Sequence, residues 1–424
     1  MAKQSIWLPV PTPTPLKIPN AVKAGPWVFV SGTMGGPVGG ALAREVRGSS
    51  NVPLSGEAKG IREARYILTT IEAALKEAGT SVAQGVWLNQ FVTAREHVDP
   101  YHEVRREFLQ PPRPASTTVA QPELLARDAT VQVDMVAIDP ALSPPKEGIA
   151  VETIPRPLSG AGYSPAVGVG DYVFVAGQMA TDFRTGIPPE AQVNPTFWEG
   201  SAIQRQTEFI LKNLALTLEA AGSSMEHVLK AQIWLGDMAD LPRMEHAWRA
   251  AFPHDPPART VLAATDFGVV GGIIEINLVA VRKDGRTRKE IVRAPCPIPL
   301  GHASPAVRAG DLLFLSGLFA ADADGVIASA RVDPDFPYAG SSIHVQTEWI
   351  LDQADALCRA AGMELGAVAR QQLFYSDLHQ FDASFRSIAT RFGDALPATS
   401  VVRVPATPVP GCGVAVDMWA VGGG

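Results

Sequence analysis

Apolar and polar residues alternate along this chain in a pattern that recurs three times. Short apolar runs, each opened by a glycine, stand at GPWVFVSG (25–32), GDYVFVAG (170–177) and GDLLFLSG (310–317). Such runs, rich in Val and Phe and closed by a small residue and Gly, predict strands. Each is followed by a stretch of helical period: ARYILTTIEAALKEAG, TEFILKNLALTLEAAG and TEWILDQADALCRAAG. In the first copy Ile67, Ile71, Ala74, Leu75 and Ala78 form the apolar stripe. Gly79, Gly222 and Gly362 stand where a helix C-terminal glycine belongs. A strand centred on an aromatic comes next (Phe91, Trp234, Phe374). A second helix then runs toward Phe108, Phe252 and Phe392, and a further strand is led by Pro114, Pro257 and Pro397. The last strand alternates strictly, as VQVDM (131–135), IEINL (274–278) and VAVDM (414–418). In the first copy Val131, Val133 and Met135 share one face, with Gln132 and Asp134 on the other, which predicts a half-buried strand.

The order β-β-α-β-α-β-β in each copy predicts an α+β unit, a mixed sheet with two helices on one face. The period divides the chain into repeats over residues 1–143, 144–288 and 289–424. Polar joints containing Pro or Gly lie near 140–152 and 283–294. The second face of each sheet needs cover, and three fused copies supply it by packing around a common axis as an intramolecular pseudo-trimer.

Composition narrows the classes. A chain of 424 residues with 46% hydrophobic and 19% charged residues is that of a folded protein. The net charge of −7 argues against a nucleic-acid or anionic-membrane partner. No apolar run approaches the ~20 residues of a membrane helix, and the start, MAKQSIWLPVPTPTP, does not read as a signal peptide. The three cysteines, Cys296, Cys358 and Cys412, form no CxxC pair, so reduced thiols and a cytoplasmic location are expected. The eight histidines show no metal-binding spacing, and neither a metal nor a cofactor is predicted. The expected partner is a small molecule, with pairing of whole pseudo-trimers as a further possibility.

The strand ends "SG" or "AG", the "EAG" helix ends, the Pro257-Ala258-Arg259-Thr260 segment and the alternating last strand together resemble the RidA/YjgF family of enamine/imine deaminases. The resemblance implies a chorismate-mutase-like fold, with ligand clefts between neighbouring units. It implies that an Arg of the "PAR" segment holds a substrate carboxylate, a task suited to a planar fork that stays charged when buried. Only the second repeat keeps that residue, Arg259. Ser116 and Thr399 replace it in the others, and Arg403, four residues beyond Thr399, is a weaker substitute. The resemblance also implies a carboxylate on the last strand that directs water. Matched within the "IEIEA"-like run, its positions are Asp134, Asn277 and Asp417, so no repeat pairs Arg with Glu. Asp134 and Asp417 read equally as water-directing acids or as inter-repeat hydrogen-bonding groups.

Tyr163 matches the family's cleft tyrosine, with His302 in the corresponding stretch of repeat 3 and Ile18-Pro19 in repeat 1. Ser31 and Ser316 precede Gly32 and Gly317, and Ala176 precedes Gly177. A backbone N–H at such a glycine can face a ligand; the same glycines also suit a tight turn. Cys412 reads as structural and GTMGGPVGG (32–40) as a loop bordering a cleft. The expected activity is cofactor-independent hydrolysis or deamination of a small carboxylate- or carbonyl-bearing metabolite. Asp134, Asp417 and Tyr163 would be catalytic, and Arg259, Gly177, Ser31, Ser316 and Asn277 would bind substrate. The alternatives are a hydrolase or lyase of diverged chemistry and a non-catalytic binder.

Overall fold

A computed structural model describes residues 3–9, 16–48, 56–156, 162–194, 196, 200–295, 300–331, 335 and 342–423. Repeat 1 contains strands Ala21–Ala24 and Trp27–Met34, helix Lys59–Glu77, strand Gly85–Val92, helix Val98–Phe108, and strands Ala115–Ala120 and Val131–Ile138. Repeats 2 and 3 have the same order, ending on Ile274–Val281 and Val414–Val421. In each sheet the last strand lies between the second and third, so the C-terminal segment occupies the middle. The third and fourth strands pair in parallel and the other pairs are antiparallel. The chain is three mixed-sheet α+β units in tandem.

The long helices end as the glycines predict. Gly79, Gly222 and Gly362 have φ of 83°, 71° and 73°, a left-handed conformation that residues with a Cβ rarely adopt. Ile67, Leu68, Ile71 and Leu75 pack on Val28, Val30, Val133 and Met135 of the sheet, and equivalent cores form in the other repeats. Part of each polar joint becomes an edge strand. Lys146–Ile149 pairs with Ala166–Val169, and Glu290–Val292 with Ala306–Ala309.

Two expectations change. The Ser31-Gly32 and Ala176-Gly177 steps are bulges inside strands that continue to Met34 and Met179, because the register against the last strand slips there. The last strands are buried on both faces throughout, although their alternation taken alone predicts a half-buried strand. The second face is covered by neighbouring repeats. Thr399 N donates to Ser31 Oγ (2.9 Å), Arg259 N to Ser316 Oγ (2.8 Å), and Asn277 Nδ2 to Thr117 Oγ1 (2.8 Å). These bonds join repeat 3 to 1, 2 to 3, and 1 to 2.

Where the three sheets meet, Phe91, Trp234 and Phe374 touch one another, with ring centroids 5.5–6.3 Å apart. A second mixed cluster contains the stacked pair Trp87–Trp419 at 5.1 Å and Phe314 at 4.7 Å from Trp419. A buried polar group also spans all three repeats. Asp134 accepts from Arg370, Gln372, Ser400 and Asn89, while Asp417 meets Lys230 at 2.6 Å and accepts from Thr260. Buried charges need such partners, since an unpaired one costs several kcal/mol.

Candidate functional site

The second residue of the fourth strand is Ser116 in repeat 1, Arg259 in repeat 2 and Thr399 in repeat 3. The second residue of the last strand is Gln132, Glu275 and Ala415. These two positions, with the segment before each repeat's first strand, decide what each boundary can do.

Between repeats 1 and 2 lies a cleft of about 270 Å³. Repeat 1 contributes Val92, Val98, His102, Ser116 and Thr118; repeat 2 contributes Tyr163, Gly177, Met179, Phe183, Phe267 and Glu275. One side of the mouth is tied by Arg95–Asp266 at 2.6 Å, and Asp266–Phe267 adds to the edge of repeat 1's sheet. Burial pushes the Glu275 carboxyl up to about 8, against the pull of the Thr118 amide, so the group is mostly neutral near pH 7. Gly177 is required beside it, because a Cβ there would collide with the Glu275 carboxylate. Burial also raises the Tyr163 hydroxyl to about 12 and keeps it protonated. His102 is lowered to about 3 by burial and then by Arg105 and Arg106, which makes it a neutral imidazole. Among the described residues, His102 Nε2, Glu275 Oε2 and Arg105 Nε are buried without a hydrogen-bond partner. His102 and Glu275 line the cleft, and Arg105 stands behind Ser116; Arg259 Nε, Arg259 Nη1 and Glu245 Oε2 are also buried without a hydrogen-bond partner.

Arg259 does not open on a cleft in this way. Its guanidinium meets Glu245 at 2.7 Å, donates to Leu300 O at 2.9 Å and lies 5.1 Å over Trp248. The expected clamp is therefore neutralised within repeat 2, and across the boundary Ala415 stands where Glu275 stands in the other cleft. His302 is engaged too, its Nε2 lying 2.5 Å from Phe252 O and its backbone N–H donating to Glu245. At the equivalent positions of the boundary between repeats 3 and 1 stand the neutral Thr399 and Gln132, with Ser31 bonded to the Thr399 amide. Arg403 is no substitute clamp: it pairs with Glu123 at 3.3 Å on a partly exposed surface.

The other predicted positions fall elsewhere. Asp134, Asp417 and Asn277 point into the buried polar group between the sheets, and none lines the cleft. Ser31 and Ser316 use their hydroxyls as staples, each accepting a neighbouring repeat's amide and donating to Pro19 O or Ser304 O. Both still border cavities within their own repeats. The glycine-rich loop borders the cavity in repeat 1 through Gly36, Pro37 and Val38. Cys412 is buried with Sγ 3.6 Å from Ala320 O, and Cys296 lies outside the described residues. Tyr163 and Gly177 do meet in the cleft. Glu275 was missed because the "IEIEA" run holds two acidic positions, and the one that opens on the cleft is the first. Contrary to the expectation that no repeat pairs Arg with Glu, repeat 2 has both Arg259 and Glu275, on opposite boundaries.

The chain is thus three tandem α+β domains with a mostly apolar cleft between the first two, into which a few polar side chains open. The sequence profile of the Endoribonuclease L-PSP family matches residues 17–139, 153–282 and 294–422, and the chain belongs to this family as three tandem RidA-like domains. A RutC family protein of Pyrococcus horikoshii is 31% identical over 138 residues, covering 32% of this chain and 99% of that protein. The 3-aminoacrylate deaminase RutC of Acinetobacter baylyi is 33% identical over 115 residues, 27% of this chain and 82% of its own length. The 2-iminobutanoate/2-iminopropanoate deaminase of Dermatophagoides farinae is 27% identical over 122 residues, 29% and 86% respectively. Among the described residues no helix is long and apolar enough to cross a membrane, and no group of three or more His, Cys, Asp and Glu is placed to hold a metal.

Proposed function

We propose that the cleft between repeats 1 and 2 hydrolyses the C=N bond of a small imine, or of an enamine that tautomerises to one. The observation that carries this is Glu275, a buried neutral carboxyl opening on the cleft with an unpartnered oxygen. A carboxylic acid held near pH 8 can pass a proton both ways in the physiological range. Glu275 gives its proton to the imine nitrogen, leaving a carboxylate beside an iminium. That carboxylate takes a proton from water as the water oxygen bonds to carbon and the C=N electron pair moves to nitrogen. Glu275 then gives that proton to the amine nitrogen, and as the C–N bond breaks its carboxylate takes the hydroxyl proton, so a carbonyl compound and ammonia leave and Glu275 is again protonated. No net proton is consumed by Glu275. Tyr163, neutral throughout, is placed to donate a hydrogen bond to the developing oxygen.

Two relatives named as deaminases of imine or enamine acids support the reading. An RNA-cleaving role, which the family description suggests, fits less well with a net charge of −7 and a cleft of about 270 Å³. In this reading the three repeats act as one intramolecular pseudo-trimer with a single working boundary. The test generates 2-imino acids with an amino-acid oxidase and measures their loss against semicarbazide trapping. The full chain should accelerate hydrolysis, and Glu275→Gln should lower kcat/KM by roughly 10²-fold or more. Saturable binding without turnover would replace this reading with that of a ligand binder.

A further inference from the structure

We propose that Arg105, a residue of the second helix of repeat 1, supplies the positive charge that holds a carboxylate in this cleft, acting through Ser116. The inference rests on the cleft being the functional site and names how its ligand is recognised.

Seven residues past the start of each second helix stand Arg105, Trp248 and Ile388, and four residues past it stand His102, Glu245 and Phe385. In repeat 2 the strand carries the cation, Arg259, and the helix lays Trp248 over it and neutralises it with Glu245. In repeat 1 the cation has moved to the helix, the strand keeps a small hydroxyl, and the neutralising acid has become His102. Repeat 3 has no charge at any of these places.

Arg105 is only 1% exposed. Its partners among the described residues are neutral: Gln90 Oε1 at 3.0 Å and Ser116 Oγ at 3.1 Å. Residues 157–161, which precede Gly162 beside it, read PLSGA and carry no acid. A guanidinium keeps its charge even when burial opposes it, and a buried charge without an anion is costly. An anion entering the cleft removes that cost. Because Arg105 donates to the Ser116 oxygen, the Ser116 hydroxyl hydrogen is left to point at an acceptor, and Ser116 lines the cleft. Ser116 is thus the contact group and Arg105 the positioning charge behind it. The apolar walls Val92, Val98 and Phe267 suit the aliphatic part of a small 2-oxo or 2-imino acid.

The experiment measures binding of 2-oxobutanoate by calorimetry, with butanone as the neutral counterpart, on the full chain and three variants. Wild type should bind the acid saturably and show no comparable affinity for butanone. Arg105→Gln should weaken binding by roughly tenfold or more and, without ligand, should raise the melting temperature, which loss of a merely structural arginine would not do. His102→Glu, which copies the neutralised arrangement of repeat 2, should abolish binding while keeping Arg105 and the fold. Ser116→Ala should weaken binding with the charge still present. Equal affinity for acid and ketone, or acid binding unchanged in Arg105→Gln and His102→Glu, would overturn the proposal. Carboxylate binding that needs Arg105, in a protein whose imine hydrolysis ignores Glu275, would overturn only the deaminase reading.

Discussion

Replacing Glu275 with glutamine keeps the side chain's shape and removes its titration. In the unfolded chain this carboxyl ionises near 4.5; in the folded protein it holds its proton to about 8. Between those values the folded state binds more protons, so its stability falls as pH rises across that window and levels off above it. The melting temperature of Glu275→Gln relative to wild type should therefore climb from pH 5 to pH 9; parallel curves would show that the carboxyl is not held neutral. The same proton predicts that kcat/KM for imine hydrolysis declines above about pH 8. Arg259→Ala should behave oppositely to Glu275→Gln. It leaves the largely buried Glu245 with only Arg249 at 3.5 Å and the His302 amide and lowers stability, by about 1–3 kcal/mol, while changing imine hydrolysis less than about threefold. Loss of activity with retained folding would move the site back to Arg259.

At the scale of elements, the sequence revealed the units and their order, because strand and helix periods are local properties. It showed which face of the last strand is polar, since Gln132 and Asp134 alternate with Val131 and Val133. It did not show how far along that face a neighbouring repeat crosses. That crossing puts the second residue, Glu275, at the cleft and the fourth, Asn277, between the sheets. Arg105 left a readable trace: it falls among the inward residues Tyr101 and Val104 of its helix, where a charge is out of place. The bulges at Gly32 and Gly177 were not legible, because a Ser-Gly or Ala-Gly step suits a turn equally well. The bulge at Gly177 makes its own prediction. Gly177→Ala must displace the Glu275 carboxylate, so it should cost at least about tenfold in kcat/KM, with a circular dichroism spectrum like that of wild type. Full activity would show that the contact is not needed.

At the scale of the whole molecule, the repeats share the residues that hold them. The Phe91–Trp234–Phe374 contact and the Asp134–Arg370–Asp417–Lys230 group each draw on all three. Unfolding should then be one calorimetric transition. Lys230→Ala, which leaves Asp417 short of a buried partner, should lower stability by about 3–5 kcal/mol without splitting that transition; three separate transitions would mean independent domains. The shared centre lets the boundaries diverge: at the equivalent strand positions one has Ser116, backed by the buried Arg105, and Glu275, one has Arg259, paired with Glu245, and Ala415, and one has the neutral Thr399 and Gln132. The measurement that tests this account most directly is a crystal structure of the full chain soaked with 2-oxobutanoate. The account predicts the ligand between repeats 1 and 2, its carboxylate at Ser116 in front of Arg105 and its carbonyl carbon facing Glu275. A ligand bound at Arg259, with the first cleft empty, would contradict it.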